Sequence, residues 1–186
     1  MRKLKLQVQV SVDGYIGGSG GELDWLTCPW DKPLEDYVTG LTASMDTILL
    51  GRKMAGGFID HWTNVANNPQ DPSHTFGKIM IDTPKVVFSK TLTRSDWANT
   101  VIANGDLSEE VNKLKNQSGK DIIVYGGASF DTALISAGLI DELHLFINHT
   151  AIGKGLPIFS GKTSLQLVKA TPFECGIVVL VYKPVS

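Results

Sequence analysis

Residues 121–159 read DIIVYGGASFDTALISAGLIDELHLFINHTAIGKGLPIF, and this stretch decides the fold. The apolar run Ile122-Ile123-Val124-Tyr125 has the pattern of a strand buried on both faces. Gly126-Gly127 follows at once, and then Phe130, Leu134 and Ala137 recur at i, i+4 and i+7, the spacing of one helix face. Gly138 stands where a helix C′ residue is expected. A second strand spans Glu142 to Ile147, its alternation interrupted by His144, and the segment closes in Gly153-Lys154-Gly155. The unit is strand, tight turn, helix, strand.

Such a turn offers a phosphate site. A helix N-terminus presents unpaired N–H groups and a partial positive charge, and glycine lets an anion approach the backbone closely. Gly126-Gly127 equally serves a plain tight turn between strand and helix, and the GxGxxG dinucleotide fingerprint is absent.

The longer pattern resembles the C-terminal half of the dihydrofolate-reductase-like superfamily, most closely its riboflavin-biosynthesis reductase branch, the RibD C-terminal domain. In that branch a GG turn is followed by a helix ending aGLvDEl and then by a G-x-G-x-x-x-F loop. Here these read Gly126-Gly127-Ala128-Ser129, Ala137-Gly138-Leu139-Ile140-Asp141-Glu142-Leu143 and Gly153-Lys154-Gly155-Leu156-Pro157-Ile158-Phe159. The resemblance implies an α/β, dihydrofolate-reductase-like three-layer fold, with a mixed, mostly parallel sheet, helices on both faces and a C-terminal antiparallel strand pair. It implies hydride transfer from NADPH to a small heterocyclic substrate, pteridine- or pyrimidine-like. The comparable reactions are those of 5-amino-6-(5-phosphoribosylamino)uracil reductase in riboflavin biosynthesis and of dihydrofolate reductase. Gly126, Gly127, Ala128 and Ser129 are then expected cofactor contacts.

Working outward, Leu4-Lys5-Leu6-Gln7-Val8-Gln9-Val10 alternates with period two, so one face is buried and the other is polar or covered by a partner. It runs into Ser11-Val12-Asp13-Gly14-Tyr15-Ile16-Gly17, a glycine-rich loop and Leu23-Asp24-Trp25. The family's first strand is similar, ending S-x-D-G-[YF]-I with a following L-D-W element that closes over nicotinamide and substrate. The resemblance therefore marks Val12, Tyr15, Ile16 and Trp25 as substrate-binding; Trp25 and Trp30 equally suit a core edge. Pro33, Leu34, Val38, Leu41 and Met45 mark a helix with one apolar face. Asp46 to Leu50 reads as a buried strand entering Gly51-Arg52-Lys53, where two cations meet a helix start. Arginine at such a junction can clamp a phosphate bidentately. The family's ilLGRxT is similar to Ile48–Lys53, with Met54 in place of its pyrophosphate-contacting threonine.

After a short helix, residues 64–75 read as a long polar loop. Lys85 to Lys90 is the next strand, and resemblance to the family's kvVlSrtl makes Ser89 and Lys90 a second cofactor pair near the adenosine 2′-phosphate. A short strand, Asn99 to Ala103, precedes a helix opened by Asp106 with Leu107, Val111 and Leu114 inward. Ser164 to Ala170 and Phe173 to Tyr182 read as antiparallel strands, the second so apolar that it needs covering. Family members pair such strands into a homodimer. The three junctions at Gly51, Ser89 and Gly126 all end parallel strands, where ligands of open α/β sheets bind.

The chain has 186 residues, 42% hydrophobic and 19% charged, which suits one domain over 1–186. A net charge of −2 gives no electrostatic case for a nucleic-acid partner. No run approaches the ~18 apolar residues of a membrane span, and the alternating start does not read as a signal peptide. Cys28 and Cys175 form no CxxC pair, which favours a reduced, cytoplasmic protein. His61 and His149 show no metal-ligand spacing, so no metal is expected. The deaminase signature HxE…PCxxC is absent. For catalysis, Glu35 falls where the resemblance places a substrate-binding carboxylate; in an apolar pocket its raised pKa would suit a proton relay. Glu35 also suits a helix N-terminus electrostatically, and Asp13, the second catalytic candidate, suits a turn. A reductase is the first reading; the alternatives are a non-catalytic nucleotide- or pterin-binding protein of the same fold and a structural homodimer without ligand.

Overall fold

Apolar runs become strands and helix-period segments become helices in the computed structural model, which describes residues 1–185. In chain order they are β1 (Leu4–Ser11), α1 (Lys32–Ala43), β2 (Met45–Gly51), α2 (Arg52–Ala66), α3 (His74–Asp82), β3 (Lys85–Phe88) and β4 (Thr100–Ala103). Then come α4 (Leu107–Lys115), β5 (Asp121–Gly126), α5 (Ala128–Ser136), β6 (Glu142–Asn148), β7 (Leu165–Pro172) and β8 (Val178–Pro184). The strands form one sheet in the order β4-β3-β2-β5-β1-β6-β8-β7. All pairs from β4 across to β6 are parallel, whereas β8 is antiparallel to both β6 and β7.

Strand alternation sorts the core into two faces. Ile48, Leu50 and Ile123 pack with Leu41 of α1, Ile59 of α2 and Met80 of α3. Their neighbours Leu49, Ile122 and Val124 point the other way, against Val111 of α4 and Leu134 of α5. Three layers follow: helices, sheet, helices. Burying Leu134 completely contributes roughly 2 kcal/mol. α1 begins where the Asp31 carboxylate accepts from Leu34 N–H at 2.9 Å. α5 ends in a Schellman motif, with Leu139 N–H donating to Leu134 and Gly138, at φ +66°, donating to Ile135.

The chain crosses itself in a way that opens a crevice. β1 connects through α1 to β2, passing β5, while β5 connects through α5 on the opposite face to β6, passing β1. Crossovers leaving adjacent strands in opposite directions create the ligand-binding cleft at their carboxyl ends.

Three expectations are corrected: the short helix after Gly51, the polar loop over 64–75 and the interruption at His144. The helix after Gly51 is long, reaching Ala66, and a further helix, α3, occupies part of the expected polar loop. His144 does not break the alternation of β6: Glu142, His144, Phe146 and Asn148 share one face, on which His144 meets the Tyr37 hydroxyl of α1. The apolar β8 is covered inside the sheet, and the edge strand is β7, which exposes Leu167 and Val168. Cys28 and Cys175 are neighbours in space as free cysteines, the Cys28 thiol donating to the Cys175 carbonyl at 2.7 Å. Among the described residues no helix is long and apolar enough to cross a membrane.

Candidate functional site

A cavity of 1030 Å³ lies over the carboxyl ends of β3, β2, β5 and β1, at the top of the ~300–1,000 Å³ range of small-molecule sites. Three sequence junctions meet in its lining: Gly51-Arg52-Lys53, Ser89-Lys90 and Gly126-Gly127-Ala128-Ser129. The sheet brings them together because β3, β2 and β5 are adjacent and parallel, so all three end on one side.

Two helices open toward this space with uncapped N-termini. α2 follows Gly51 and α5 follows Gly127, and neither has a side-chain cap, whereas Asp31 and Asp106 cap α1 and α4. Their first N–H groups are available to an anion. Gly126 and Gly127 lie at φ +117° and +115°, conformations that a side chain would strain. A Cβ on Gly51 would lie 2.8 Å from Phe130 Cβ, so glycine permits β2 and α5 to close together here. Arg52 and Lys53 are exposed at the rim and, among the described residues, in no ion pair. Lys90 donates to the Gly105 carbonyl at 2.7 Å. The Ser89 hydroxyl accepts from Thr91 and Leu92 N–H at 3.1 and 2.9 Å, which shapes the turn after β3.

Asp131, unforeseen from sequence, lies beneath the glycine turn. It lines the cavity yet is only 1% exposed, and its Oδ1 has no hydrogen-bond partner. Burial pushes its carboxyl up to about 8, so it carries a proton at neutral pH. A Cβ added to Gly126 would lie 3.2 Å from Asp131 Oδ2 and 3.4 Å from Met54 Sδ. The available sequence signal was an acid three residues before Leu134, near the inward stripe of α5.

At the β1 end the lining is uncharged. Gln7 and Gln9 reach it from the polar phase of β1, with Ile16, Leu23 and Leu26 closing from the loop. Gln7 is 7% exposed and its Oε1 has no partner; its neighbour across the β1–β6 ladder, His144, has its Nε2 3.5 Å from the Glu142 carboxylate. The His144 ring is held at Nδ1 by the Tyr37 hydroxyl, 2.8 Å away, and burial keeps its pKa below the ordinary value.

The other expected site residues fall outside the cavity lining. Asp13 is exposed, and its carboxylate accepts from the Ser11 hydroxyl at 2.6 Å and from Gly153 N–H at 2.7 Å, tying the loop after β1 to the Gly153 turn. The Ser11 bond, reinforced by the Gly153 and Ile152 amides, holds that carboxyl below its usual range. Val12 is exposed, with its N–H bonded to Thr150; Tyr15 bridges to Pro157 and sets the position of Ile16, which alone of these loop residues reaches the cavity. Trp25 is buried, its indole N–H donating to the Glu22 carbonyl, while Leu23 and Leu26 beside it face the cavity. Glu35 is exposed in the first turn of α1, because Leu34 and Val38 take the inward face.

Comparison with known proteins accords with this architecture. The uncharacterized protein YyaP of Bacillus subtilis (strain 168) is 36% identical over 186 residues, covering 97% of this chain and 94% of its own. A putative riboflavin biosynthesis protein from Shewanella sp. PV-4 superposes with a TM-score of 0.76 over 99% of both chains, at 20% identity. Dihydrofolate reductase from Enterococcus faecalis, complexed with NADP(H) and RAB-propyl, superposes with a TM-score of 0.61 over 99% of this chain and 97% of its own, at 16% identity. The RibD C-terminal domain model matches residues 2–179, and the chain belongs to that family.

Proposed function

We propose that this protein is an NADPH-dependent reductase acting on a small heterocycle. The observation that carries the reading is the meeting of three strand-end junctions in one cavity, with two open helix N-termini and the cations Arg52, Lys53 and Lys90 at one end. That donor set fits a dinucleotide: N–H groups and glycines for the pyrophosphate, and Arg52 with Lys90 for a 2′-phosphate. When bound, NADPH supplies a hydride to an electrophilic ring carbon and leaves as NADP⁺, while the adjacent heteroatom takes a proton. Asp131 holds such a proton in the cavity lining at neutral pH. Ile16, Leu23 and Leu26 give the other end apolar walls. The exposed β7 edge, with Leu167 and Val168, is the surface through which two copies would pair.

Calorimetric titration with NADPH and NADH tests the reading, repeated with Arg52→Ala. NADPH is expected to bind more tightly than NADH, and the variant to lose at least tenfold in NADPH affinity with little change for NADH. No binding of either nucleotide overturns the proposal; binding without turnover on any ring substrate favours a non-catalytic binding protein.

A further inference from the structure

Two cysteines, 147 residues apart in the chain, meet beside the loop that walls the cavity. Cys28 lies in the connection between β1 and α1, just after Leu26, whose side chain lines the cavity. Cys175 lies between β7 and β8, in a turn closed by hydrogen bonds from Phe173 N–H to Ile177 and from Gly176 N–H to Phe173. The Cys28 thiol donates to the Cys175 carbonyl at 2.7 Å. It also meets the Cys175 thiol: desolvation first, and then that neighbouring thiol, push the Cys28 group above its ordinary value. Both residues are half-buried at the margin of the apolar cluster of Leu34, Phe146 and Ile177, and neither is sealed from solvent.

Groups other than the sulfurs build this juxtaposition. Asp31 caps α1 with one carboxylate oxygen, accepting from Leu34 N–H at 2.9 Å, and accepts from Cys175 N–H at 2.9 Å with the other. The Cys175 amide and then the Leu34 amide hold that carboxyl below its usual range, so the bridge is charged at neutral pH. Trp30 stacks on Phe146, ring centroids 6.3 Å apart. The end of the loop is therefore docked on the β7–β8 turn before any covalent bond exists. Holding two thiols in contact raises the concentration of each as seen by the other.

We propose that Cys28 and Cys175 form a redox-modification site, which a low-molecular-weight disulfide such as oxidised glutathione converts to an intramolecular disulfide that fastens the cavity's loop wall to the β7–β8 turn. One cysteine, as its thiolate, attacks a sulfur of the small disulfide, forming a mixed disulfide and releasing a small thiolate. The other cysteine thiolate then attacks the protein sulfur of that mixed disulfide and releases the second small thiolate. Two protein thiols are oxidised, one small disulfide is reduced to two thiols, and the two cysteine protons end on them. Buried Trp25 and the cavity-lining Leu23 and Leu26 lie on the stretch just before Cys28, so the new bond restrains the segment that walls the β1 end. The thiol pair is independent of whatever ligand the cavity takes.

The test incubates the reduced full chain with oxidised glutathione and follows thiol titration, intact mass and amide hydrogen exchange. Titratable thiols are expected to fall from two to none, the mass to fall by two hydrogens with no glutathione retained, and digestion to yield a peptide pair joined through Cys28 and Cys175. Exchange over residues 23–28 is expected to slow by roughly tenfold or more, with α5 unchanged, and added reductant to reverse both effects. Cys28→Ser and Cys175→Ser are each expected to stop at the glutathione adduct, with the loop exchanging as in the reduced protein. Thiols that stay titratable, glutathione retained on the wild type, or a disulfide between two chains overturns the site. An intramolecular disulfide that leaves exchange over 23–28 unchanged overturns its action on the loop wall.

Discussion

Replacing Asp131 with asparagine removes a titrating proton while keeping the shape of the side chain. Burial moves this carboxyl from 3.8 to about 8, so the folded chain keeps a proton that the unfolded chain releases over most of the intervening range. The stability contributed by that proton is fully present below 3.8 and is lost progressively as pH rises toward about 8. Each pH unit inside the window costs ~1.4 kcal/mol, which amounts to on the order of 4 kcal/mol between about pH 4 and pH 7. Asparagine has no such slope. Urea unfolding of wild type and Asp131→Asn, at steps from about pH 5 to pH 8, reads the difference directly. The variant is expected to gain on wild type by roughly 1 kcal/mol per pH unit. His144, held below its ordinary range by burial, adds a slope of the opposite sense, but it does so in both proteins and cancels. A difference that stays constant from pH 5 to pH 8 would refute the retained proton and remove Asp131 as a proton source.

Gly51→Ala places a methyl group 2.8 Å from Phe130 Cβ; it is expected to cost about 1–3 kcal/mol in urea unfolding and to weaken NADPH binding. Asp13→Ala releases the Ile152 and Gly153 amides, and faster hydrogen exchange at those two positions, with unchanged NADPH affinity, is the expected result. Glu35→Gln, on the exposed side of α1, is expected to leave stability within about 0.5 kcal/mol and turnover unaltered; a collapse of turnover would restore Glu35 as the proton-handling carboxylate. Sedimentation of wild type tests the proposed pairing, with a dimer expected; Leu167→Lys combined with Val168→Lys on the β7 edge is then expected to give a monomer, and a monomeric wild type or an unchanged mass would exclude that edge as the pairing surface.

The parts of the site that lie at strand ends were legible because glycine, cation and periodicity change together over a few residues. Gly51-Arg52-Lys53, Ser89-Lys90 and Gly126-Gly127 each mark such a change, and all line the cavity. Asp131 and Gln7 were not legible, because their significance is burial without a partner, and burial is set by which strands and helices become neighbours. Alternating Lys5, Gln7 and Gln9 looks like an ordinary solvent face until β5, β6 and α1 enclose β1. Glu35 shows the reverse case: a one-residue step beyond Leu34 turns a side chain about 100° around a helix, and that rotation moved it from pocket to solvent. α3 was missed because Asn, Pro and Asp at its entrance read as loop and because the helix is only nine residues long.

The position of β1 in the sheet also governs how the chain folds during synthesis. Both its neighbours lie far along the chain: Leu4 N–H bonds to the Asp141 carboxylate, 137 residues onward. At ~5–20 residues per second, that neighbour leaves the ribosome roughly 7–27 s after β1. The central strand therefore waits unpaired until β5 and β6 have emerged, and its non-local pairing makes closure of the sheet a slow step. A chain released before Asn148 would lack one of the two ladders that hold β1, so nascent fragments of this protein are expected to depend on chaperones until β6 has emerged.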